Sequence, residues 1–470
     1  MADYNGKETA QIVNEIQPAL KENKMGVMHI SSLLISMSIP MMLSMLVQAL
    51  YNIVDSIFVS QLGENALTAV SLAFPVQNLM IAIGSGTGVG INSLLSRSLG
   101  EKNSERVNKT ANHGILLIFA SSALFALFGL FFVRYFFQSQ TDIEEIINYG
   151  TDYLRICSIF SFGVFGQLTF ERLLQSTGKT FFAMITQAFG AVVNIILDPI
   201  MIFGYYGFPR MEVAGAALAT VIGQILATIL AIIFNLTINK EITFKIRGFR
   251  LDFQIIKRIY SVGVPSAIMI AIGSVMNFGL NKILMSFTST ASAVFGVYFR
   301  LQGFVFMPIF GMNNGVIPII SYNYGARNKK RITKTIRLAM IYAITIMLVG
   351  TAIFQIFPGQ LLSMFNASPD MLAIGIPALR TISICFVFAG FCIVSSAVFM
   401  ALGSGMPSMF VSITRQLLIL LPAAYLLSRA GGLNAIWWAF PLAEIASVAL
   451  TVIFLKHFYT TRIKPLPADD

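Results

Sequence analysis

The sequence has few charged residues and few of the side chains that soluble enzymes use for chemistry. Only 11% of its 470 residues are Asp, Glu, Lys or Arg, against about 25% in soluble domains. There are three histidines and three cysteines, and Cys157, Cys385 and Cys392 all lie in apolar stretches without a CxxC motif. This composition argues against a disulfide scaffold, a Cys/His metal cluster and an ordinary soluble domain.

The sequence also lacks motifs for covalent or phosphoryl chemistry. It contains no HExxH, GxSxG or Walker A pattern. The stretch GSGTGVG at 84–90 resembles a phosphate-binding loop, but its spacing is not GxGxxG, and small residues on a membrane helix more often permit close packing. We therefore expect no enzymatic activity, no cofactor and no ATP-driven pump.

Long apolar segments are what the sequence does have. Hydrophobic residues make up 56% of it, and about 20 consecutive apolar residues span a bilayer. We predict an all-α integral membrane protein with twelve transmembrane helices, at 33–60, 66–95, 111–137, 150–174, 180–204, 213–237, 258–286, 291–321, 335–357, 371–402, 407–428 and 433–457.

The basic residues cluster in three short loops, at 97–109, 238–258 and 326–337, which carry four, six and six Lys or Arg. The positive-inside rule places such loops on the cytoplasmic side and predicts that both termini are cytoplasmic. The net charge of +11 is thereby explained by membrane orientation, and we expect no nucleic-acid partner.

The chain is an internal duplication. SRSLGEKNSERVNKT (96–110) aligns without gaps to SYNYGARNKKRITKT (321–335), with six of fifteen positions identical and an offset of 225. The same offset pairs Pro40 with Pro265, Asn52 with Asn277, Gln77 with Gln302 and Gly178 with Gly403. Two six-helix bundles related by a parallel repeat are predicted, and transporters place substrate sites at such interfaces.

This repeat predicts five segments. They are an N-terminal tail at 1–32, an N-lobe at 33–237, a basic linker at 238–257, a C-lobe at 258–457 and a C-terminal tail at 458–470. Both tails and the linker are expected on the cytoplasmic side, and nothing in the sequence demands more than a monomer.

Two aspartates lie in the middle of apolar helices of the first half. Asp55 shares one helix face with Gln48 and Asn52, and Asp198 follows Asn194 by one turn. An ionisable group at bilayer depth marks an ion or substrate path by default. A proton, a metal cation and an organic cation can compete for one such carboxylate, as an antiporter requires.

Other polar or helix-breaking residues of the first half have two interpretations each. Pro40 and Pro199 are candidate bends, and Pro199 could free backbone carbonyls that coordinate a cation. Glu171 is either functional or interfacial, because it lies near a helix end beside Arg172. Thr220 shares a face with Gln224, where polar residues often serve only to join helices.

The second half departs from this pattern, since Asp55 aligns with Leu280 and Glu171 with Ser396. We therefore expect a lopsided coupling site in the N-lobe. Lys282 either pairs with an acid across the interface or extends to the membrane surface, and we favour the second interpretation.

The stretches SIPMMLSMLVQALYNIVDSIFVSQLGENALTAVSLAFPV (38–76), NIILDPIMIFGYYG (194–207) and VAGAALAT (213–220) resemble the multidrug and toxic compound extrusion (MATE) transporters, in particular their prokaryotic DinF-like and MepA-like members. The resemblance covers nearly the whole chain. It implies an N-lobe cation site formed by Gln48, Asn52, Asp55, Asn194, Asp198 and Thr220, and a role for Glu171. A Na+ ion would be held by Asp55, Asn194, Asp198 and Thr220.

The resemblance further implies export of organic cations or amphipathic drugs in exchange for H+ or Na+, across the inner or plasma membrane of a bacterium or archaeon. Acids that other members of the family carry in the seventh and tenth helices are missing here, which argues against a C-lobe cation site. The alternative is a flippase for a lipid or lipid-linked glycan, and Lys282, Arg300 and Arg380 keep it open.

Overall fold

The computed structural model describes residues 23–244 and 249–467, and every regular element in these ranges is helical. Three predicted segments lie partly outside these ranges, namely the N-terminal tail, the basic linker and the C-terminal tail. Ten helices are long and apolar enough to cross a membrane, and two bent helix pairs bring the total to twelve. The predicted all-α fold with twelve membrane helices is thus confirmed.

The first half contributes six of these spans. We label them α1 (Ile30–Ser60), α2 (Glu64–Gly100), α3 (Ser104–Phe131), α4 (Glu144–Ile159 and Phe162–Ser176), α5 (Thr180–Phe203) and α6 (Glu212–Thr237). Three short helical segments accompany them, at Lys24–Val27, Val133–Gln138 and Tyr205–Gly207.

The second half repeats the same order. Its spans are α7 (Phe253–Met285), α8 (Ser289–Gly325), α9 (Lys329–Ile356), α10 (Pro369–Ser383 and Phe386–Ala401), α11 (Met406–Ile436) and α12 (Ala439–Ile463). A short helix at Pro358–Ser363 joins α9 to α10. Within α11 the residues Thr414–Leu420 form a π-helix.

Several helix boundaries differ from the prediction, and side-chain caps explain two of them. We predicted that α3 begins at residue 111 and α9 at residue 335, where the apolar runs begin. The side chain of Asn103 instead accepts a hydrogen bond from the amide of Arg106, and Asn328 does the same for Arg331. These caps start each helix one or two turns earlier, within polar sequence. Asn103 and Asn328 are related by the offset of 225.

The fourth and tenth spans, predicted at 150–174 and 371–402, are each broken by a bend that the sequence did not indicate. The structure bends them by 44° and 49°. The bends fall at Phe160 and Cys385, which are again 225 residues apart, and no proline lies at either position. By contrast α1 and α5 continue as helices through Pro40 and Pro199. Bending at these two prolines during transport stays a prediction.

The last two spans were also placed inaccurately. We predicted that α11 ends at residue 428 and α12 begins at 433, whereas the structure continues α11 to Ile436 and starts α12 at Ala439. The polar and glycine-containing stretch SRAGGLN (428–434) indicated a loop, but the structure keeps it within α11. Gly432, with φ 68°, interrupts the regular helical backbone just before the junction.

Glycines bring α2 of the first half into direct backbone contact with α7 of the second. A Cβ added at Gly86 would lie 2.5 Å from the carbonyl oxygen of Gly263, and one at Gly90 would lie 2.1 Å from that of Ile259. The GSGTGVG stretch therefore serves helix packing, as its interpretation as small residues predicted.

The two halves are packed together at the end of the bundle that carries the basic loops, which we call the basic end. There Gly100 packs against the Tyr322 carbonyl and Gly325 against the Arg97 carbonyl. The guanidinium of Arg97 lies 4.8 Å from the ring centre of Tyr324.

Residues 23–28 add a strap across this end. The Asn23 side chain donates to the Thr177 carbonyl of the first half. In the second half, the Arg331 guanidinium donates to the carbonyls of Met25 and Met28, at 3.0 and 2.7 Å. The Met25 side chain is fully buried. The strap is thus held by both halves of the molecule.

A methyl group at Gly90 should lower stability, because the added carbon meets the backbone of Ile259 rather than a flexible side chain. Overpacking of this kind costs about 1–3 kcal/mol. We expect Gly90→Ala to lower the melting temperature of the detergent-purified protein. Gly296→Ala is the matched control, since nothing lies within 4 Å of its added carbon. Equal melting of the two variants would contradict the packing role.

Candidate functional site

Three residues predicted for the N-lobe site come together between α5 and α6. The side-chain amide of Asn194 donates to Oδ1 of Asp198 and to the hydroxyl of Thr220, both at 3.2 Å. Asp198 is 0% exposed and Asn194 is 2% exposed. The i, i+4 spacing on α5 aims both side chains at α6, which explains the contact.

The carboxylate of Asp198 is only partly satisfied by this arrangement. Its Oδ2 atom and the Oδ1 atom of Asn194 are both buried without a hydrogen-bond partner. Buried polar atoms in proteins are nearly always paired, so such orphans call for an explanation. Two neighbouring oxygens without partners are what a proton or a hard cation would bind.

Asp55 on α1 lies within electrostatic range of Asp198, and the two carboxylates repel each other when both are ionised. Oδ1 of Asp55 is also buried without a hydrogen-bond partner. No basic side chain in the described ranges forms an ion pair with either aspartate. Neither carboxylate is therefore neutralised by an ion pair within these ranges.

The remaining predicted residues of α1 are placed differently. Asn52 is exposed and Gln48 is half-buried. Within the part of the chain that the structure describes, neither side chain makes a hydrogen bond to the two aspartates. They lie on the same helix as Asp55 but do not satisfy its carboxylate oxygens in this conformation.

Glu171 belongs to a second polar cluster and not to the first. Its Oε1 atom accepts hydrogen bonds from Gln167 at 3.0 Å and from Thr186 at 3.2 Å, and the residue is buried. Thr186 and Asp198 are both on α5, twelve residues apart, or about 18 Å along the axis. Glu171 thus has hydrogen-bond partners of its own, and its functional and interfacial interpretations both stay predictions.

Arg172 does not pair with its neighbour Glu171. Its guanidinium donates to Gln175 at 2.9 Å and to Asn314 on α8 at 2.8 Å. A Cβ at Gly88 would lie 2.7 Å from the Cγ atom of Arg172, so that glycine makes room for the side chain. Arg172 thus links the two halves, and local sequence gave no sign of its distant partner.

The basic residues noted in the second half are exposed. Lys282 lies in the last turn of α7, Arg300 on α8 and Arg380 on α10. No ion pair with an acid is formed by any of them in the described ranges. For Lys282 this placement is in keeping with extension to the membrane surface.

The ion pair between Arg415 and Glu444 was not predicted from the sequence. The guanidinium of Arg415 on α11 lies 3.4 Å from Oε2 of Glu444 on α12, and both residues are in membrane spans. Glu444 is the single acid in the apolar stretch 430–455. The rule that singled out Asp55 would have found it as well.

Removing the hydroxyl at Thr220 should destabilise the N-lobe site. Thr220→Val has the same shape but leaves a buried donor of Asn194 without its acceptor, at a cost of about 1–3 kcal/mol. We expect a lower melting temperature for this variant in detergent. Thr220→Ser keeps the hydroxyl and should melt close to the unaltered protein. If both variants melt together, the hydrogen bond has no role in stability.

The comparisons with known proteins agree with one another. The MatE family profile matches residues 40–200 and 265–426, two segments that begin 225 residues apart. The multidrug export protein MepA of Staphylococcus haemolyticus is 26% identical over 427 residues, which cover 91% of this chain and 93% of that protein. An FAD transporter of Shewanella oneidensis is 25% identical and covers 94% and 97%.

Solved structures show the same fold. An outward-facing multidrug resistance MATE transporter of the MOP superfamily superposes with a TM-score of 0.88 and 27% identity, covering 95% of this chain and 98% of that one. A MOP superfamily transporter from Pyrococcus furiosus, described as having a binding pocket of reverse polarity, gives a TM-score of 0.87 at 26% identity, covering 96% and 99%. The chain belongs to the MATE family, and it is a multi-pass membrane transporter and not an enzyme.

Proposed function

We propose that this chain is a secondary active multidrug exporter, which exchanges organic cations or amphipathic drugs for H+ or Na+ by alternating access. The observation that carries the proposal is a pair of aspartates among the membrane helices, Asp198 buried and Asp55 half-buried, without a basic partner in the described ranges. The MepA relatives, which are multidrug export proteins, support the same activity.

The site can couple two ligands because its negative charge is uncompensated. Repulsion between Asp55 and Asp198 is relieved when a cation or a proton arrives, so either ligand is favoured over the empty site. The orphan oxygens of Asp198 and Asn194, with the Thr220 hydroxyl, offer the hard ligands that Na+ requires. An organic cation and a coupling ion would thus compete for the same carboxylates.

Alternating access would use the two halves as rigid lobes, at 33–237 and 258–457. The glycine contacts between α2 and α7 and the strap at 23–28 lie towards the basic end. We assign this end to the cytoplasm from its Lys and Arg residues, with both termini on that side of the plasma membrane. The conformation would then be the outward-facing one, in keeping with its similarity to an outward-facing transporter.

The return step requires the halves to separate at the basic end. Arg172 then loses Asn314, and the backbone contacts of Gly86 and Gly90 open. Cation binding at Asp55 would change the charge of α1, the helix whose first half packs on α8 through Gly311 and Gly315. We propose a monomer as the working unit, since every step uses residues of one chain.

Replacing Asp198 by Asn should abolish coupled export while leaving the fold intact, because the amide keeps the shape but carries no negative charge and takes up no proton. The measurement is efflux of a fluorescent organic cation from proteoliposomes, under an imposed pH gradient and then under a Na+ gradient. Whichever gradient drives Asp198-dependent efflux identifies the coupling ion. Asp142→Asn makes the same change at an exposed position and should be without effect.

Normal efflux by the Asp198→Asn variant would disprove the site assignment. Absence of efflux by the unaltered protein under either gradient would instead favour the alternative, a flippase for a lipid or lipid-linked glycan. Transport of an anionic compound is the related possibility that the FAD transporter relative raises.

Lys282→Ala separates these alternatives further. If Lys282 extends to the membrane surface, as its exposed position in the last turn of α7 suggests, the variant should export organic cations at nearly the normal rate. A severe loss of cation export would show that the lysine serves as a counter-charge. Loss confined to an anionic substrate would support an anion or lipid path.

A further inference from the structure

The second half contains a buried ion pair to which no role has been assigned. Nη1 of Arg415 lies 3.4 Å from Oε2 of Glu444, and the side chains are 26% and 7% exposed. Arg415 is on the π-helix Thr414–Leu420, seven residues before Pro422. Single π-helical turns inside α-helices are frequent at functional sites.

The pair leaves much of its bonding capacity unused. Oε1 of Glu444 is buried without a hydrogen-bond partner. A guanidinium has five N–H donors, and in the described ranges the single ion pair of Arg415 is the long contact to Glu444. A quarter of the Arg415 side-chain surface is exposed, so the pair is open to a ligand on one side.

An aromatic cluster packs beside the pair. Phe440 is one turn before Glu444 on α12, and its ring centre lies 5.8 Å from that of Tyr298 and 6.3 Å from that of Phe295. Tyr298 and Phe295 are buried, and Tyr298 lies within electrostatic range of both Arg415 and Glu444. Phe440 is half-buried, so it offers the aromatic surface on which a flat ring with ionic groups at one edge would lie.

Packing alone does not require these charges. In the first half the aligned positions are Gly190, at an offset of 225, and Gln224, at an offset of 220. A Cβ at Gly190 would lie 3.1 Å from the Gly223 carbonyl, so α5 and α6 join there through a close backbone contact. The same pair of helices is thus joined without an ion pair, and the charges call for another explanation.

We propose that Arg415 and Glu444 bind the zwitterionic end of an aromatic amphiphile, a ligand with one carboxylate and one ammonium or amidinium group. A purely cationic ligand would face Arg415, and a purely anionic one would face Glu444. A zwitterion places its carboxylate on Arg415 and its cation on Glu444, so both charges stay balanced. This inference rests on the proposed export of amphipathic compounds and deepens it.

Two dyes of nearly identical shape can test whether the carboxylate of the ligand is recognised. Rhodamine 123 is a cationic methyl ester, and rhodamine 110, its free acid, carries a carboxylate as well. Binding to the detergent-purified protein is measured by fluorescence polarisation without any ion gradient. For the unaltered protein we expect saturable binding of rhodamine 110. In Arg415→Gln the ratio of its Kd to that of rhodamine 123 should rise at least about tenfold.

The double variant with Arg415→Gln and Glu444→Gln is the control for misfolding, because it leaves no unpaired buried charge. We expect the same rise in the Kd ratio together with a melting temperature close to normal. Arg300→Gln removes an exposed arginine from the neighbouring helix α8 and should leave the ratio unchanged.

An unchanged Kd ratio in either Arg415 variant would overturn the proposal, as would a failure of the unaltered protein to bind rhodamine 110. Because binding is measured without a gradient, these outcomes are independent of whether Asp198 couples export to an ion. Loss of coupled efflux in the presence of normal rhodamine 110 binding would count against the proposed antiport alone.

Discussion

Every polar group that this chain places among its membrane helices must find a partner in another part of the chain or in a transported ligand. Hydrocarbon offers no hydrogen bonds, so unsatisfied groups are costly there. Glu171 accepts hydrogen bonds from Gln167 and Thr186. Arg172 donates hydrogen bonds to Gln175 and Asn314. The acids left incomplete are therefore informative, and in the described ranges Asp55, Asp198 and Glu444 each keep a buried carboxylate oxygen without a hydrogen-bond partner.

The duplication makes this contrast easier to see. Both halves share their caps at Asn103 and Asn328, and their bends at Phe160 and Cys385. Their ionisable groups differ, however. In the first half Asp55 and Asp198 lie close together without a basic partner in the described ranges, whereas in the second half Glu444 pairs with Arg415. One scaffold, used twice, has thus acquired a negative site and a nearly neutral one. In the proposed function, the aspartate site of the first lobe would bind cationic groups, and the Arg415–Glu444 pair of the second lobe would bind zwitterionic ones.

Much of the fold could be predicted from the sequence, because hydropathy and the repeat specify twelve spans and their order. The grouping of Asn194 with Asp198 followed from helical spacing alone. The bends in α4 and α10 could not be predicted, because no proline marks them and tertiary packing decides where the helices break. The Asn314 partner of Arg172 is 142 residues away, and only folding reveals it. Glu444 was different, since its isolation in an apolar stretch was visible from the start.

The strap at the basic end couples residues 23–28 to the conformational equilibrium. Residues 23–28 contact Thr177 in one half and Arg331 in the other, so they fit best when that end is closed. Burial lowers the pKa of Lys24 beside this contact, and the nearby charge of Lys179 lowers it further. By thermodynamic linkage, a partner that captures the released strap must favour opening of that end, and opening must in turn increase affinity for that partner. A molecule that binds the strap would thereby shift the equilibrium between the inward-facing and outward-facing conformations.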